Sequence, residues 1–176
     1  MPTPPPTSPI PQFRVGHGYD LHRLESGGTH PLLLAGIELP HEHRIVAHSD
    51  GDTLYHAVTD ALLGALAQPD IGRLFPDNDP ANDGRDSADF VRAAMGRVRD
   101  AGFAVANLDC TVILQRPRLA EARDAIRANL ARLLEVEVAQ VNVKGKSGEH
   151  LGPVGEARAV EVHAVVLLVR LPGPQT

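Results

Sequence analysis

The stretch Ser49-Asp50-Gly51-Asp52-Thr53-Leu54-Tyr55-His56-Ala57-Val58-Thr59-Asp60-Ala61-Leu62-Leu63-Gly64-Ala65 organises the reading of the whole chain. Leu54, Val58, Ala61, Leu62 and Ala65 recur at helical spacing, and Ser49 followed three residues later by Asp52 reads as a capping box, so the segment predicts an amphipathic helix. That helix holds His56 at a fixed address. Upstream, Arg14 to His22 predicts a strand, on which residues two apart share a face, so Asp20 and His22 point the same way. One imidazole from a helix, with a carboxylate and an imidazole from a strand, suits a catalytic zinc, which takes three protein ligands and keeps one position open. On spacing alone, a histidine on a helix face is more often a structural or surface residue. Asp52 and Asp60, one turn before and one turn after His56, stand where either can orient its ring through the second nitrogen, with capping and surface roles competing for both.

Working outward, Pro31 to Leu39 predicts a second strand, with Gly27-Gly28 as the turn before it. Gln68-Pro69-Asp70 breaks the helical period, and a loop rich in Pro, Asp, Asn and Gly runs from Phe75 to Asp86, a length that is often functional. Ser87 is expected to cap a helix reaching about Ala101 and ended by Gly102. Asn107 to Gln115 alternates like a half-buried strand, and Leu119 to Leu134 repeats at helical spacing. Gln140 to Lys146 predicts a short strand with Val141 and Val143 inward, and Arg158 to Arg170 a long closing strand. The order β-β-α-α-β-α-β-β predicts an α+β chain, an α/β two-layer sandwich with a mixed sheet covered on one face by helices.

A length of 176 residues with 43% hydrophobic content fits one domain, expected over residues 13–171. The net charge of -5 and an aromatic content of 3% without Trp argue against nucleic acid as a partner. No apolar run is long enough to span a bilayer, and the N-terminus, with Pro at 2, 4, 5, 6, 9 and 11, lacks the charged start and apolar core of a signal peptide. The single Cys110 has no partner for an intrachain disulfide and reads as a small buried hydrophobe. No membrane and a reducing, cytoplasmic setting are therefore expected. Residues 1–12 read as a disordered Pro-rich tail and 172–176 as a frayed end. His30, His41, His43 and His163 are assigned to loops or an exposed strand face, and His17 and His150 stay unassigned.

Two local clusters qualify as anion sites despite the global charge. Arg116-Pro117-Arg118 leads from a strand into a helix, and Lys144-Gly145-Lys146-Ser147-Gly148-Glu149 is a Gly-rich basic turn after another strand. Each is as readily a solvated turn, and the second lacks the spacing of a Walker sequence.

Asp20-Leu21-His22, then His48, Ser49-Asp50-Gly51-Asp52, His56 and Asp60-Ala61-Leu62-Leu63-Gly64-Ala65 together closely resemble the signature of the 2-C-methyl-D-erythritol 2,4-cyclodiphosphate synthase family, and the resemblance runs from Arg14 to Arg170. It implies a ferredoxin-like variant, a homotrimer with intersubunit active sites, and a phosphorus-oxygen lyase of the non-mevalonate isoprenoid pathway. The implied reaction converts 4-diphosphocytidyl-2-C-methyl-D-erythritol 2-phosphate to 2-C-methyl-D-erythritol 2,4-cyclodiphosphate plus CMP by metal-assisted intramolecular phosphoryl transfer. By the same resemblance Asp20, His22 and His56 hold zinc or another divalent metal, and Glu149 holds magnesium. His48 and Ser147 are implied to be catalytic, with Ser49 as a further donor to the phosphates. Asp20, Leu21, His22, His48 and Ser49, the Asp70-Ile71-Gly72 turn, and Phe75, Pro76, Asp77, Asn78 and Asp79 match segments that meet the methylerythritol phosphate. Leu114, Gln115, Arg116, Pro117, Arg118, Leu119 and Ala120 match contacts to the cytidine, and Lys146, Ser147, Gly148 and Glu149 those to the diphosphate.

The chain departs from the family pattern at Lys146 and Gly148, where threonine is common, and at Pro153, where an aromatic residue is usual. Glu156 and Arg158 reverse a usual Arg-x-Glu order, placing a carboxylate where a phosphate partner stands in a central cavity. Two other classes fit the same ligand set: a zinc-dependent phosphoester hydrolase using metal-bound hydroxide, and a non-catalytic trimer that binds metal or nucleotide.

Overall fold

Alternation of small and apolar residues decides which face of each strand is covered. In a computed structural model, which describes residues 13–76 and 78–171, the first strand β1 (Phe13–Glu25) turns Gly16, Gly18, Asp20, His22 and Leu24 toward the helices. The expectations for the 1–12 tail, for Asp77 and for 172–176 fall outside the described residues. The last strand, β7 (Ala159–Arg170), buries Val160, Val162, Ala164, Val166 and Leu168 on that same side and lies at the centre of the main sheet. Long β5 (Phe103–Ile113) pairs antiparallel with β7, and β6 (Val141–Lys146) pairs parallel with β5. With short β4 (Arg44–Val46) beside β1, the order is β4-β1-β7-β5-β6, a mixed sheet.

Three helices cover one face: α1 (Thr53–Ala65), α3 (Ala88–Asp100) and α4 (Arg123–Leu134). Short α2 (Ile71–Leu74) follows α1, and α5 (Gly152–Gly155) precedes β7. The opposite sheet face keeps Phe13, Val15, Tyr19, Leu21, Val165 and Val169 exposed. Among the described residues, no helix is long and apolar enough to cross a membrane.

Glycine at two positions sets how close α1 lies. A Cβ on Gly16 would meet the Ala61 carbonyl oxygen at 1.9 Å, and one on Gly18 the Ala57 carbonyl oxygen at 1.9 Å. Their absence of side chain lets the helix backbone rest directly on the strand. The next inward residues along β1, Asp20 and His22, thereby come up against His56.

Several sequence expectations need correction. Pro31 to Leu39 is not one strand: Ala35 and Gly36, both at positive φ, fold it into a hairpin of β2 (Leu32–Leu34) and β3 (Ile37–Leu39), a separate two-stranded sheet. The sequence pattern held no turn signal beyond the one glycine. Strand β5 starts at Phe103 rather than Asn107, because Phe103 and Val105 already bury their side chains in the core before a bulge between Val105 and Asn107. Helix α4 starts at Arg123 rather than Leu119. Leu119 is buried in the preceding turn, so its apolar character reflects packing there and not helical periodicity.

Candidate active site

The start of α1 is built by one buried carboxylate. Asp52, not Ser49, is the N-cap: its Oδ1 accepts from the backbone N–H of Leu54 at 3.1 Å and Tyr55 at 3.0 Å. It also ties down the β2–β3 turn, accepting from Ala35 N at 3.0 Å and, through Oδ2, from Gly36 N at 2.6 Å. With both oxygens used in this way, Asp52 does not orient the imidazole of His56. Asp60 does not either, because its Oδ1 accepts from Ile71 N at 2.8 Å at the start of α2.

The second nitrogen of His56 is held instead by two hydroxyls that the sequence reading assigned elsewhere. Nε2 lies 2.9 Å from Ser87 Oγ and 3.2 Å from Ser49 Oγ. Ser87 makes no side-chain cap to α3; its hydroxyl donates to Asp50 Oδ1 in a short hydrogen bond, and its N–H donates to Asp50 Oδ2 at 3.1 Å. A hydroxyl committed as donor to a carboxylate receives at its oxygen, so Nε2 of His56 is the protonated nitrogen and Nδ1 presents a lone pair. Ser87 and Asp50 are the positioning residues that sequence reasoning missed. Ser87 lies 31 residues from His56 and 37 from Asp50 in sequence, and nothing in the local pattern marks the pair.

That lone pair faces the strand. His56 Nδ1 lies 3.2 Å and His22 Nδ1 2.8 Å from the same oxygen, Asp20 Oδ2. Neither Asp20 Oδ2 nor His22 Nδ1 has hydrogen-bond geometry to any partner, although both atoms are buried. Close approach without hydrogen bonding leaves donor atoms converging on a common point, and one atom from each of Asp20, His22 and His56 lies within 4.8 Å of the others. Burial by itself would raise the Asp20 carboxyl, but without a metal the two imidazoles, when they carry protons toward it, outweigh that and hold it at about 2. An ionised carboxylate and two imidazoles suit a divalent ion such as zinc, whose tetrahedral ligands at about 2.0 Å stand about 3.3 Å apart. The residues therefore fit the group implied for them.

Around this cluster is a cavity of about 450 Å³. Asp20, Leu21, His22, His48, Ser49, Ile71, Gly72 and Phe75 line it as expected, together with unforeseen Arg23, Val46, Ala47, Asn82 and Phe90. Asp70, Pro76, Asn78 and Asp79 do not line it. Asp70 and Asp79 instead cap the two short turns at Ile71 and Pro80. The 75–86 loop is tied over the cavity by Gly84 N to His48 O at 2.7 Å and by Asn82 Nδ2 to Pro76 O at 3.0 Å. Arg85 lies over the Phe75 and Phe90 rings.

The remaining expected residues gather in a second cavity of about 810 Å³, between the end of β5 and the turn after β6. Leu114, Gln115, Pro117, Arg118, Leu119, Ala120, Lys146, Ser147 and Glu149 line it, with Arg123, Lys144 and His150 added. Ser147 Oγ donates to Glu149 Oε1 at 2.8 Å. Arg116 and Gly148 stand apart from it. Arg116 pairs with Glu42, and Gly148 packs against the Gly155 backbone, where a Cβ would meet N at 2.5 Å. Glu156 and Arg158 pair with each other, Arg158 Nε donating to Glu156 Oε2 at 2.8 Å. Thus one chain places the residues implied for the metal and those implied for the nucleotide in two different cavities, and His48 and Ser147, the two implied catalytic residues, fall one in each.

The YgbB family model matches residues 13–169. Among curated relatives, the 2-C-methyl-D-erythritol 2,4-cyclodiphosphate synthase of Chromobacterium violaceum is 51% identical over 158 residues, 90% of this chain and 99% of the relative. The chloroplastic synthase of Oryza sativa subsp. japonica is 49% identical over 165 residues, 94% of this chain and 73% of the relative. Among solved structures, the Plasmodium falciparum IspF in complex with CDP superposes with a TM-score of 0.80 at 36% identity, covering 91% of this chain and 97% of that one. The bifunctional IspDF of Campylobacter jejuni gives a TM-score of 0.85 at 36% identity over 90% of this chain and 42% of its own. On sequence, fold and the clustering of Asp20, His22 and His56, the chain belongs to the YgbB family, that of the 2-C-methyl-D-erythritol 2,4-cyclodiphosphate synthases.

Proposed function

We propose that residues 13–171 form one synthase domain that closes 4-diphosphocytidyl-2-C-methyl-D-erythritol 2-phosphate into 2-C-methyl-D-erythritol 2,4-cyclodiphosphate and releases CMP. The observation that supports it most directly is the buried, unbonded convergence of Asp20 Oδ2 and His22 Nδ1 beside His56 Nδ1. The nucleophile is the substrate's own 2-phosphate, which is anionic at neutral pH, so no side chain has to remove a proton from it. The protein's task is to fold the substrate and neutralise charge, and positioning of this kind is worth roughly 7–11 kcal/mol in well-oriented intramolecular reactions.

Asp20, His22 and His56 would hold zinc, which as a Lewis acid polarises the β-phosphate, and Glu149 would hold magnesium, whose preference for carboxylate and phosphate oxygens suits the departing CMP. Ser87 and Asp50 keep the His56 ring in the tautomer that offers Nδ1. His48, exposed at the mouth of the first cavity, and Ser49 present donors to the attacking phosphate. Ile71, Gly72 and Phe75 enclose the methylerythritol, and Leu21, whose side chain lies on the opposite sheet face, borders the cavity between Asp20 and His22. In the second cavity Ser147 and Lys146 meet the diphosphate, while Leu114 to Ala120 hold the cytidine.

A homotrimer joins the two cavities. The metal set of one chain faces the nucleotide set of the next, and the exposed apolar residues Phe13, Val15, Leu21, Val165 and Val169 become covered. Phosphorus NMR tests the reaction: zinc-stripped protein with substrate and magnesium should leave the substrate signals unchanged, and restored zinc should give a cyclic diphosphate with equal CMP. Linear products would point to a hydrolase instead, and light scattering that gives a monomer would reject the shared site.

A further inference from the structure

Asn82 is buried, yet it lines the first cavity. It ends the short turn Pro80–Asn82, and both of its main-chain polar groups are spent within the loop. Its N–H donates to Asp79 O at 2.9 Å, and its carbonyl accepts from Arg85 N at 3.3 Å. What it offers the cavity is therefore the side-chain amide. Oδ1 accepts from Arg85 Nη1 at 3.1 Å, and Nδ2 donates to Pro76 O at 3.0 Å. A guanidinium only donates and a peptide carbonyl only accepts, so the reversed amide would make both contacts repulsive. The amide is thus fixed in one orientation. Nδ2 carries two protons and Pro76 takes one; the other N–H has no partner among the described residues, and a buried donor left unpaired is costly.

The rest of the wall decides what such a donor can meet. Apart from the Asp20, His22 and His56 cluster and the neighbours His48 and Ser49, Asn82 is the one uncharged polar residue there. Arg23 is held by Glu25 at 3.0 Å, and the remaining lining residues are apolar or glycine. The Ser49 hydroxyl is itself engaged by Gly51 N and His56 Nε2. A single neutral N–H among apolar walls suits a neutral acceptor, whereas a phosphate calls for charged donors. Methylerythritol esterified at O2 and O4 keeps two free hydroxyls, on C1 and C3, and neither takes part in the ring closure.

We propose that Asn82 is a specificity-determining residue whose free Nδ2–H donates to one of those two hydroxyls. The bond fixes the rotation of the carbon chain that carries the 2-phosphate toward the β-phosphorus. This rests on the reaction proposed above. Arg85 and Pro76 already hold the amide in place, so little further ordering is needed when substrate arrives. A site that pairs with a substrate hydroxyl rejects the analogue lacking it, because the site's own donor is then left without a partner.

Steady-state kinetics of the zinc- and magnesium-loaded full chain, read as kcat/KM for CMP release, test it with the substrate and its 1-deoxy and 3-deoxy analogues. The unsubstituted chain should prefer the substrate over one of the two analogues by about 10–100-fold. In Asn82→Ala that preference should vanish, because the substrate loses the bond and the analogue loses nothing further. Asn82→Asp, which keeps an acceptor for Arg85 but has no N–H, should lose it too. Arg85→Ala loosens the same brace and leaves the amide, so it should slow all three compounds by one factor and keep the preference. An unsubstituted chain that turns over both analogues as well as the substrate, or a preference that survives in both Asn82 variants, would overturn the proposal and leave Asn82 a loop brace. A chain that releases no CMP from the substrate itself would reject the reaction and the role of Asn82 with it, so the two failures are distinguishable.

Discussion

Replacing Gly18 with alanine tests the link from strand sequence to metal site. The added Cβ would stand 1.9 Å from the Ala57 carbonyl oxygen and 2.7 Å from Ala61 N, both backbone atoms of α1. Ordinary contact begins at 3.4 Å, so strand and helix must separate by about 1.5 Å locally. No flexible side chain is there to give way. Overpacking of this kind costs about 1–3 kcal/mol, and a clash against backbone belongs at the upper end. The same displacement acts on the site, because His56 is the residue before Ala57, and metal distances tolerate about 0.2 Å. Urea unfolding of the chelated, metal-free protein should therefore show a loss of about 3 kcal/mol, and competition titration a collapse of zinc affinity. Gly16→Ala meets Ala61 O at the same 1.9 Å but one turn further from His56. It should cost comparable stability with a smaller loss of zinc. A Gly18→Ala protein within 0.5 kcal/mol of the parent, still binding zinc as tightly, would refute the account of how β1 and α1 build the site.

Other substitutions separate the remaining roles. Asp52→Ala removes the cap of α1 and strands the N–H groups of Ala35 and Gly36, so a loss of about 2–4 kcal/mol is expected, with Asp52→Asn less harmful because one carbonyl oxygen remains; equal losses would contradict the assignment. Ser87→Ala strips a partner from the buried His56 N–H and from one Asp50 oxygen, so it should cost about 1–3 kcal/mol and weaken zinc binding about 10–100-fold by freeing the His56 ring, and an unchanged affinity in a competition titration would show that the hydroxyl does not position it. Burial pushes the Cys110 thiol well up, so it should resist maleimide in the native protein and react only on unfolding, as mass spectrometry can follow. The Lys144 ammonium beside Asp109 lowers that carboxyl, ahead of a smaller opposing effect of burial. A depressed folded value means its contribution is complete above the unfolded carboxylate range and is lost as pH falls through the folded value. Asp109→Asn should accordingly flatten the acid limb of the stability profile, and an unaltered limb would count against the pair.

The sequence by itself determined the long elements and the three residues that the structure brings together as a candidate metal cluster. Strong periodicity placed α1, α3, β6 and β7 to within a few residues, and the i, i+2 rule on β1 put Asp20 and His22 on one face before any coordinates. Local pattern sufficed there because each of those features depends on neighbours along the chain. Tertiary structure alone decided what lies between. Asp52 became a cap and a clamp on the β2–β3 turn, Ser49 and Ser87 turned to the second nitrogen of His56, and Asp50 reached across to Ser87, all through contacts 7 to 37 residues apart. The hairpin within Pro31 to Leu39 was equally hidden, because its turn is enforced by the Asp52 carboxylate rather than announced by turn residues. Hydroxyls and carboxylates are legible as donors and acceptors in a sequence, but which of them pair depends on how closely two elements approach. Here that closeness is fixed by two glycines on β1, whose missing side chains acquire meaning only against the helix that rests on them.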